Sequence, residues 1–182
     1  MARTDPILPS GNSTLAIVAL GSNQGESVAI IRDAIKRLAG LSLQPVIASS
    51  LWQSTPVDCP PGSPLFVNAV VAFAPLPDET PETLLDKLQA MEREFGRRPK
   101  VVLNESRPLD LDLIAFCSET RSTSKLALPH PRAHLRRFVL EPLNEIAPDL
   151  ILPGQAKSAR ELLAELRTDE ILTKVASGAS RI

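Results

Sequence analysis

The sequence predicts an α+β fold of ferredoxin-like β-α-β-β-α-β topology, with two helices on one face of an antiparallel sheet and a C-terminal extension. Three observations carry this. Short apolar runs rich in β-branched residues alternate with stretches of helical periodicity, their order matches the split βαβ motif, and a further helical segment follows the last strand.

Residues 1 to about 13 mix charges, prolines and a polar gap, and read as a loose lead-in. "LAIVAL", 15–20, is a buried strand ending at Gly21. After the GSNQGES turn, Val28, Ile31, Ile35 and Leu38 recur at helical spacing, with Gly40 as the stop. "PVIASSLWQS" reads as a second strand and "FVNAVVAF" as a third, joined by a proline-rich connection over 60–64. From Pro81, the stripe Leu84, Leu85, Leu88 and Met91 marks a second helix that stops at Gly96. The fourth strand covers 109–116. Beyond it, SARELLAEL is a short helix with Ser158 as N-cap and Glu161 in the capping-box place. Residues from about 168 read as a tail, so the expectation is one domain over 1–182 with a folded core over about 14–167.

Composition excludes several classes. Twenty basic and 21 acidic residues leave a net charge of −1, which gives no field for nucleic acid or an anionic membrane. Aromatics make up 3% with no tyrosine, too few for base-stacking platforms. Cys59 and Cys117 form no C-x-x-C pair and suit a reducing cytoplasm. The single short apolar run near the N-terminus fits neither a signal peptide nor a membrane span.

The segment "SRPLDLDLIAF", 106–116, poses the chemical question. At strand periodicity Leu109, Leu111 and Leu113 share one face, while Asp110 and Asp112 share the other about 7 Å apart. Such acids either lie in water on a half-exposed strand or share a cation. Mg²⁺, which takes one or two carboxylates and completes its shell with water and phosphates, is the economical choice.

"GRRPK", 96–100, brings Arg97, Arg98 and Lys100 close to this strand, as a solvated loop or a polyphosphate grip. "GSNQG", 21–25, is a capped turn or an anion-binding helix start, and it lacks the Walker and Rossmann spacings. His130 and His134 are four apart, but without a glutamate partner or third ligand they make a poor zinc site; a phosphate grip by His130 and Arg136 is more economical. Asn68, an amide among apolar neighbours, is a structural bridge or a ligand reader. Cys59 is a lone loop thiol.

Taken together, "ALGSNQG", "SSLWQSTPV", "FVNAVV", "MEREFGR", "RPLDLDLI" and "PHPRAHLRRFVLEPLNEIAPDL" resemble the 6-hydroxymethyl-7,8-dihydropterin pyrophosphokinases of folate biosynthesis, over most of the chain. The resemblance implies transfer of diphosphate from ATP to the pterin hydroxymethyl group with release of AMP, nucleotide binding first. It implies two Mg²⁺ ions on Asp110 and Asp112, with Arg97 and Arg107 also catalytic. Gln89, Glu92, Arg97, Lys100, His130 and Arg136 fall on ATP or phosphate positions; Ser54, Val57, Phe66, Asn68 and Phe138 fall on pterin positions.

The chain departs from the family at "NES", 104–106, where many members carry an aromatic residue and glycine-proline, and at Leu135 and Pro99. A mobile lid over 97–106, ordered by ligand, is expected. The resemblance makes ATP and the pterin the partners; with the charge and cysteine usage above, the expectation is a cytoplasmic monomer that binds no nucleic acid or membrane. Rival readings are a non-catalytic pterin- or nucleotide-binding paralogue and an RNA-binding module of the same fold.

Overall fold

A computed structural model describes residues 14–99, 105–176 and 180–181. The expected lead-in and the middle of the expected lid lie outside the described residues. The elements in chain order are β1 (Ala16–Ser22), α1 (Ser27–Ala39), β2 (Ile47–Ala48), β3 (Leu51–Ser54), β4 (Phe66–Phe73), α2 (Pro81–Glu94), β5 (Asp110–Phe116), β6 (Arg121–Ser122), β7 (Ala127–Leu128), α3 (Arg137–Ile146), α4 (Ala159–Glu165), β8 (Leu172–Ala176) and β9 (Ser180–Arg181). The main sheet runs β5-β1-β4, then β2 and β3 beside β4, with β9 on β2 and β8 on β3; the pairings are antiparallel. The ferredoxin-like order is thus present. Among the described residues no helix is long and apolar enough to cross a membrane.

Alternation along the strands sends side chains to two faces. Ala16, Val18, Leu20, Val67, Ala69, Val71, Leu111 and Leu113 form a core with the buried stripes of α1 (Ile31, Ala34, Ile35, Leu38) and α2 (Leu84, Leu88, Met91). A capping box between Thr80 and Thr83, with Pro81 in the first turn, fixes where α2 begins.

The opposite face is covered as well, which helical periodicity alone gives no sign of. Ile17, Ala19, Val70, Ala72, Ile114 and Ala115 pack there with Val139, Leu143 and Ile146 of α3 and Ala159 of α4. The extension is a second layer, and it covers only part of that face. Ser158 caps α4 with the expected capping box.

Two expectations need correction. The "PVIASSLWQS" strand is broken at Ser49 and Ser50, because Ser49 Oγ accepts from Val70 N at 3.0 Å and Ser50 turns its N–H and hydroxyl to Glu145. The tail from about 168 also joins the sheet, as β8 on β3 and β9 on β2. Backbone pairing at an edge needs no apolar alternation, and Thr173, Lys174 and Val175 are all exposed, so side-chain pattern carries no trace of it.

Glu145 of α3 binds these pieces together. Its carboxylate accepts from Ser50 N (3.0 Å), Ser50 Oγ, Trp52 Nε1 (3.1 Å) and Lys174 Nζ (3.1 Å), and Lys174 Nζ lies 4.8 Å from the Trp52 ring centroid. Burial pushes this carboxyl up, but the hydrogen bonds from Ser50, Lys174 and Trp52 outweigh it and hold the pKa below the usual value. Glu145→Ala is expected to cost about 3 kcal/mol in a denaturant titration, the scale of stranding several buried donors. Because the folded pKa is depressed, the wild-type contribution is present above about pH 4.3 and is lost as pH falls through the folded value. In the Ala variant that part of the acid dependence should vanish.

Candidate active site

The uncovered part of the second sheet face holds the cleft. Register places Gly21 of β1 opposite both Asn68 of β4 and Asp110 of β5, and Asn68 opposite Trp52 of β3. Directly opposed residues point to the same face, so one row across the sheet carries Trp52, Asn68, Gly21 and Asp110. Ala19 pairs with Asp112 one step deeper. Gly21 keeps the row open: a Cβ there would sit 3.5 Å from Asn68 Oδ1, 3.7 Å from Phe66 Cδ1 and 3.9 Å from Asp110 Cβ. The acids and leucines of β5 thus divide between faces as alternation predicts. A bulge ends that alternation, since Ile17 pairs with Ala115 and Val18 with Leu113, leaving Ile114 extra.

Arg97 reaches this row because of how α2 stops. Gly96 adopts φ +91°, Gly96 N donates to Arg93 O and Arg97 N donates to Glu92 O, both at 3.0 Å: a Schellman closure that folds Arg97 back over the helix end. There its Nη1 pairs with Glu92 and, at 2.7 Å, with Asp110 Oδ1. Arg107 approaches from the other side, Nη2 to Asp110 Oδ2 at 2.7 Å and Nη1 to the Glu105 carbonyl at 3.0 Å. The GSNQG turn holds Arg107 in place. Asn23 Oδ1 accepts from Arg107 N at 2.9 Å, Asn23 N donates to Arg107 O at 3.2 Å, and Asn23 Nδ2 reaches Ser106 Oγ at 3.3 Å. The turn is therefore a bracket across 84 residues of sequence.

Charges in the cleft perturb one another. Asp112 is held above its ordinary pKa, first by burial and then by Asp110, while His130, Arg136 and Arg107 pull it down. Arg136 Nη1 meets Asp112 Oδ2 at 3.3 Å. Glu92 accepts from Leu111 N at 2.7 Å, yet burial outweighs that bond and Arg97 and pushes its pKa up to about 7. His130 is pushed down, chiefly by burial, and its Nδ1 accepts from Arg132 N at 3.2 Å, so the neutral ring carries its proton on Nε2. His130 N is anchored on Ile114 O at 2.8 Å, at the β5 bulge.

On the far side of Gly21, Asn68 is 3% exposed and donates Nδ2 to Ser54 Oγ at 2.8 Å and to the Trp52 carbonyl at 3.4 Å. Phe66 lies under the Arg107 guanidinium (5.4 Å to the ring centroid) and Phe138 under that of Arg136 (5.3 Å). Val57 and Gln89 line the rim and are exposed. The residues that the family resemblance assigns to the site and that are described all line this one cleft; Lys100 lies outside the described residues, and Arg98 of the GRRPK segment lines a separate hollow with Gln24 and Glu105.

Thr55, Asp58, Cys59 and Arg132 line the cleft too, without having been expected there. Asp58 and Cys59 sit in the proline-flanked "VDCPPG" loop, where Asp58 takes a positive φ of 54°, while Thr55 and Arg132 lie within the quoted "SSLWQSTPV" and "PHPRAHLRRF" stretches. Among the described residues no group of three His, Cys, Asp or Glu side chains stands ready to hold a metal. Asp110 and Asp112 offer oxygen donors with a shell left to be completed from outside.

The profile of the 7,8-dihydro-6-hydroxymethylpterin-pyrophosphokinase (HPPK) family matches residues 17–148. The chain belongs to the HPPK family. Its relatives include 2-amino-4-hydroxy-6-hydroxymethyldihydropteridine pyrophosphokinases of Haemophilus influenzae, 40% identical over 76% of this chain and 85% of that one, and of Methylorubrum extorquens, 36% identical over 84% and 94%. The Pseudomonas aeruginosa protein of the same name is 40% identical over 81% and 88%. A crystal structure of Plasmodium falciparum HPPK-DHPS with pteroate shares the fold, with a TM-score of 0.65 at 14% identity over 83% of this chain and 42% of that longer one. The HPPK match takes in every described cleft residue, from Ala19 of β1 to Phe138 of α3.

Proposed function

We propose that this chain transfers diphosphate from ATP to the hydroxymethyl group of 6-hydroxymethyl-7,8-dihydropterin and releases AMP, as a single-domain cytoplasmic monomer in folate synthesis. Beside the family membership, one observation carries the reading: the Asn68–Gly21–Asp110 row sets an amide reader next to paired acids and arginines in one cleft. The amide of Asn68, held by Ser54, and backbone groups near Val57 read the edge of the pterin, while Phe66 and Phe138 enclose its ring. Arg97, Arg107, Arg136, Lys100 and the Nε2–H of His130 take the phosphates, and Gln89 and Glu92 sit beside the nucleotide.

Asp110 and Asp112 would hold Mg²⁺, two ions in the full complex. Their donor set fits: hard oxygen ligands, two carboxylates, and no third protein ligand among the described residues, as expected of an ion that keeps water and phosphate in its shell. When bound, Mg²⁺ would neutralise phosphate charge. The chain's own part is alignment. The pterin hydroxyl oxygen attacks the β-phosphorus, the bond from that phosphorus to the bridging oxygen on the α side breaks, AMP leaves with the electron pair, and the hydroxyl proton is released. Phosphoryl transfer needs chiefly positioning and charge compensation. Arg97 and Arg107 supply both by passing from Asp110 to the phosphates.

The deciding assay follows AMP formation from MgATP with and without the pterin alcohol. AMP that appears only with the pterin supports the reading, and nucleotide and pterin binding without AMP would favour the non-catalytic paralogue. Asn68→Ala is expected to weaken pterin binding by about 1–3 kcal/mol, the cost of losing a buried polar partner, with MgATP affinity nearly intact. Equal losses in calorimetry for both ligands would make Asn68 a structural bridge only.

A further inference from the structure

Helix α3 delivers Arg136 and Phe138 to the cleft, yet the sequence around its start provides no cap. Arg136 holds the N-cap position with extended backbone and makes no capping side-chain hydrogen bond, and a guanidinium offers donors alone. The first N–H groups of a helix have no intrahelical partner and need acceptors from elsewhere. They find one 33 residues further on. Arg137 N donates to Glu170 Oε2 at 2.9 Å, and Phe138 N donates to Glu170 Oε1 at 3.2 Å.

Each oxygen of one carboxylate thus serves one amide, at the helix end that favours negative charge. Glu170 is 6% exposed. Burial raises its pKa against the pull of the Arg137 and Phe138 amides and the charges of Arg137 and Arg136. The chain around it is fastened to the other wall of the cleft. Ile171 N donates to Thr55 Oγ1 and Thr55 N donates to Ile171 O, both at 3.2 Å, and Thr55 follows Ser54, the partner of Asn68. From there β8 runs along β3. Residues 168–176 therefore touch both the wall that carries Phe138 and the wall that carries Ser54. They also lie beyond the stretch matched by the family.

We infer that Glu170 is a positioning residue, which fixes the first turn of α3, and through it Arg136 and Phe138, against the wall built on Ser54 and Thr55. This rests on the reading of the cleft as a pterin site. Loss of the cap frees the first turn of α3, and Phe138 no longer meets the ring at a fixed distance from Asn68. A glutamine keeps the volume of the side chain and one acceptor oxygen, so it should restore part of the effect.

The test uses the full chain as wild type, Glu170→Gln, Glu170→Ala and a control, Ile146→Val, at the far end of α3. Readouts are the pterin KM from AMP release, melting temperature, and hydrogen exchange of the Arg137 and Phe138 amides. Glu170→Ala should raise the pterin KM about tenfold, equivalent to about 1.4 kcal/mol, with Glu170→Gln intermediate. The two amides should exchange faster in the same order. Ile146→Val should lower the melting temperature without moving the pterin KM.

A wild-type KM and unchanged amide protection in Glu170→Ala would overturn the inference, as would an equal KM rise in Ile146→Val. If Glu170→Ala does not fold, Glu170→Gln decides: a pterin KM raised above wild type, with faster exchange of the two amides, supports the inference and a wild-type KM overturns it. If the wild type releases no AMP, the functional reading fails on its own, and the amide exchange of the same variants still decides for or against the cap.

Discussion

Asp112→Asn is expected to cut turnover by at least about a hundredfold at saturating Mg²⁺, since charge stabilisation by a held cation is worth several kcal/mol and each 1.4 kcal/mol is tenfold. Asp110→Asn should lose as much, but the two variants should part company in a thermal melt. Asp112 is ionised at a cost, because burial and Asp110 both hold its pKa up. A raised carboxyl pKa means that stability falls as pH rises from the unfolded value through the folded one. An amide at 112 removes that penalty, so the unliganded variant should melt no lower than wild type, and higher near neutral pH. Asp110 instead lies between Arg97 and Arg107 at 2.7 Å from each. An amide at 110 takes the negative charge from between two guanidiniums, and that variant should melt lower. Near-normal turnover by either variant would remove its acid from the mechanism.

Arg107→Ala should be comparably severe, with turnover down about a thousandfold, the lower end of what a transition-state arginine supplies in phosphoryl transfer. Arg107→Lys should not rescue it. Two different nitrogens are in use, Nη2 toward Asp110 and Nη1 toward the Glu105 carbonyl, while the planar group lies over Phe66. An ammonium cannot reproduce that fork or the stacking. Single-turnover measurements at saturating MgATP separate this from weakened binding. A drop of less than about tenfold in the Ala variant would leave Arg107 a binding group, because a transition-state role is worth far more.

How much of this was legible in the sequence depends on the range of the interaction. Local signals read true: the alternation of 109–113 placed the acids and leucines on opposite faces, the stripe of α2 gave its buried side, and Ser158 with Glu161 marked the start of α4. The break at Ser49 and Ser50 was hidden because its cause, Glu145, lies 95 residues away from Ser50. The strand pairing of β8 was hidden because it is made by backbone groups. The candidate cleft residues came mostly from motif resemblance, and motif spacing says nothing of what supports them. Asn23 and Glu170 hold Arg107 and α3 through bonds that leave no periodicity to find.

The ion pairs of the cleft bear on how the two components of MgATP would enter. Arg97 and Arg107 are matched to Asp110, and Arg136 to Asp112. Nucleotide arriving without a divalent ion would draw the guanidiniums away and leave two carboxylates facing each other. An ion arriving without nucleotide would draw the carboxylates away and leave Arg107 and Arg136 without theirs, while Arg97 keeps Glu92. Each event alone breaks ion pairs that the other would replace; together they would leave these charges matched. The arrangement predicts a coincidence detector, in which ion and nucleotide raise each other's affinity by the same factor, as reciprocity between linked binding events demands; titrating each with and without the other measures it.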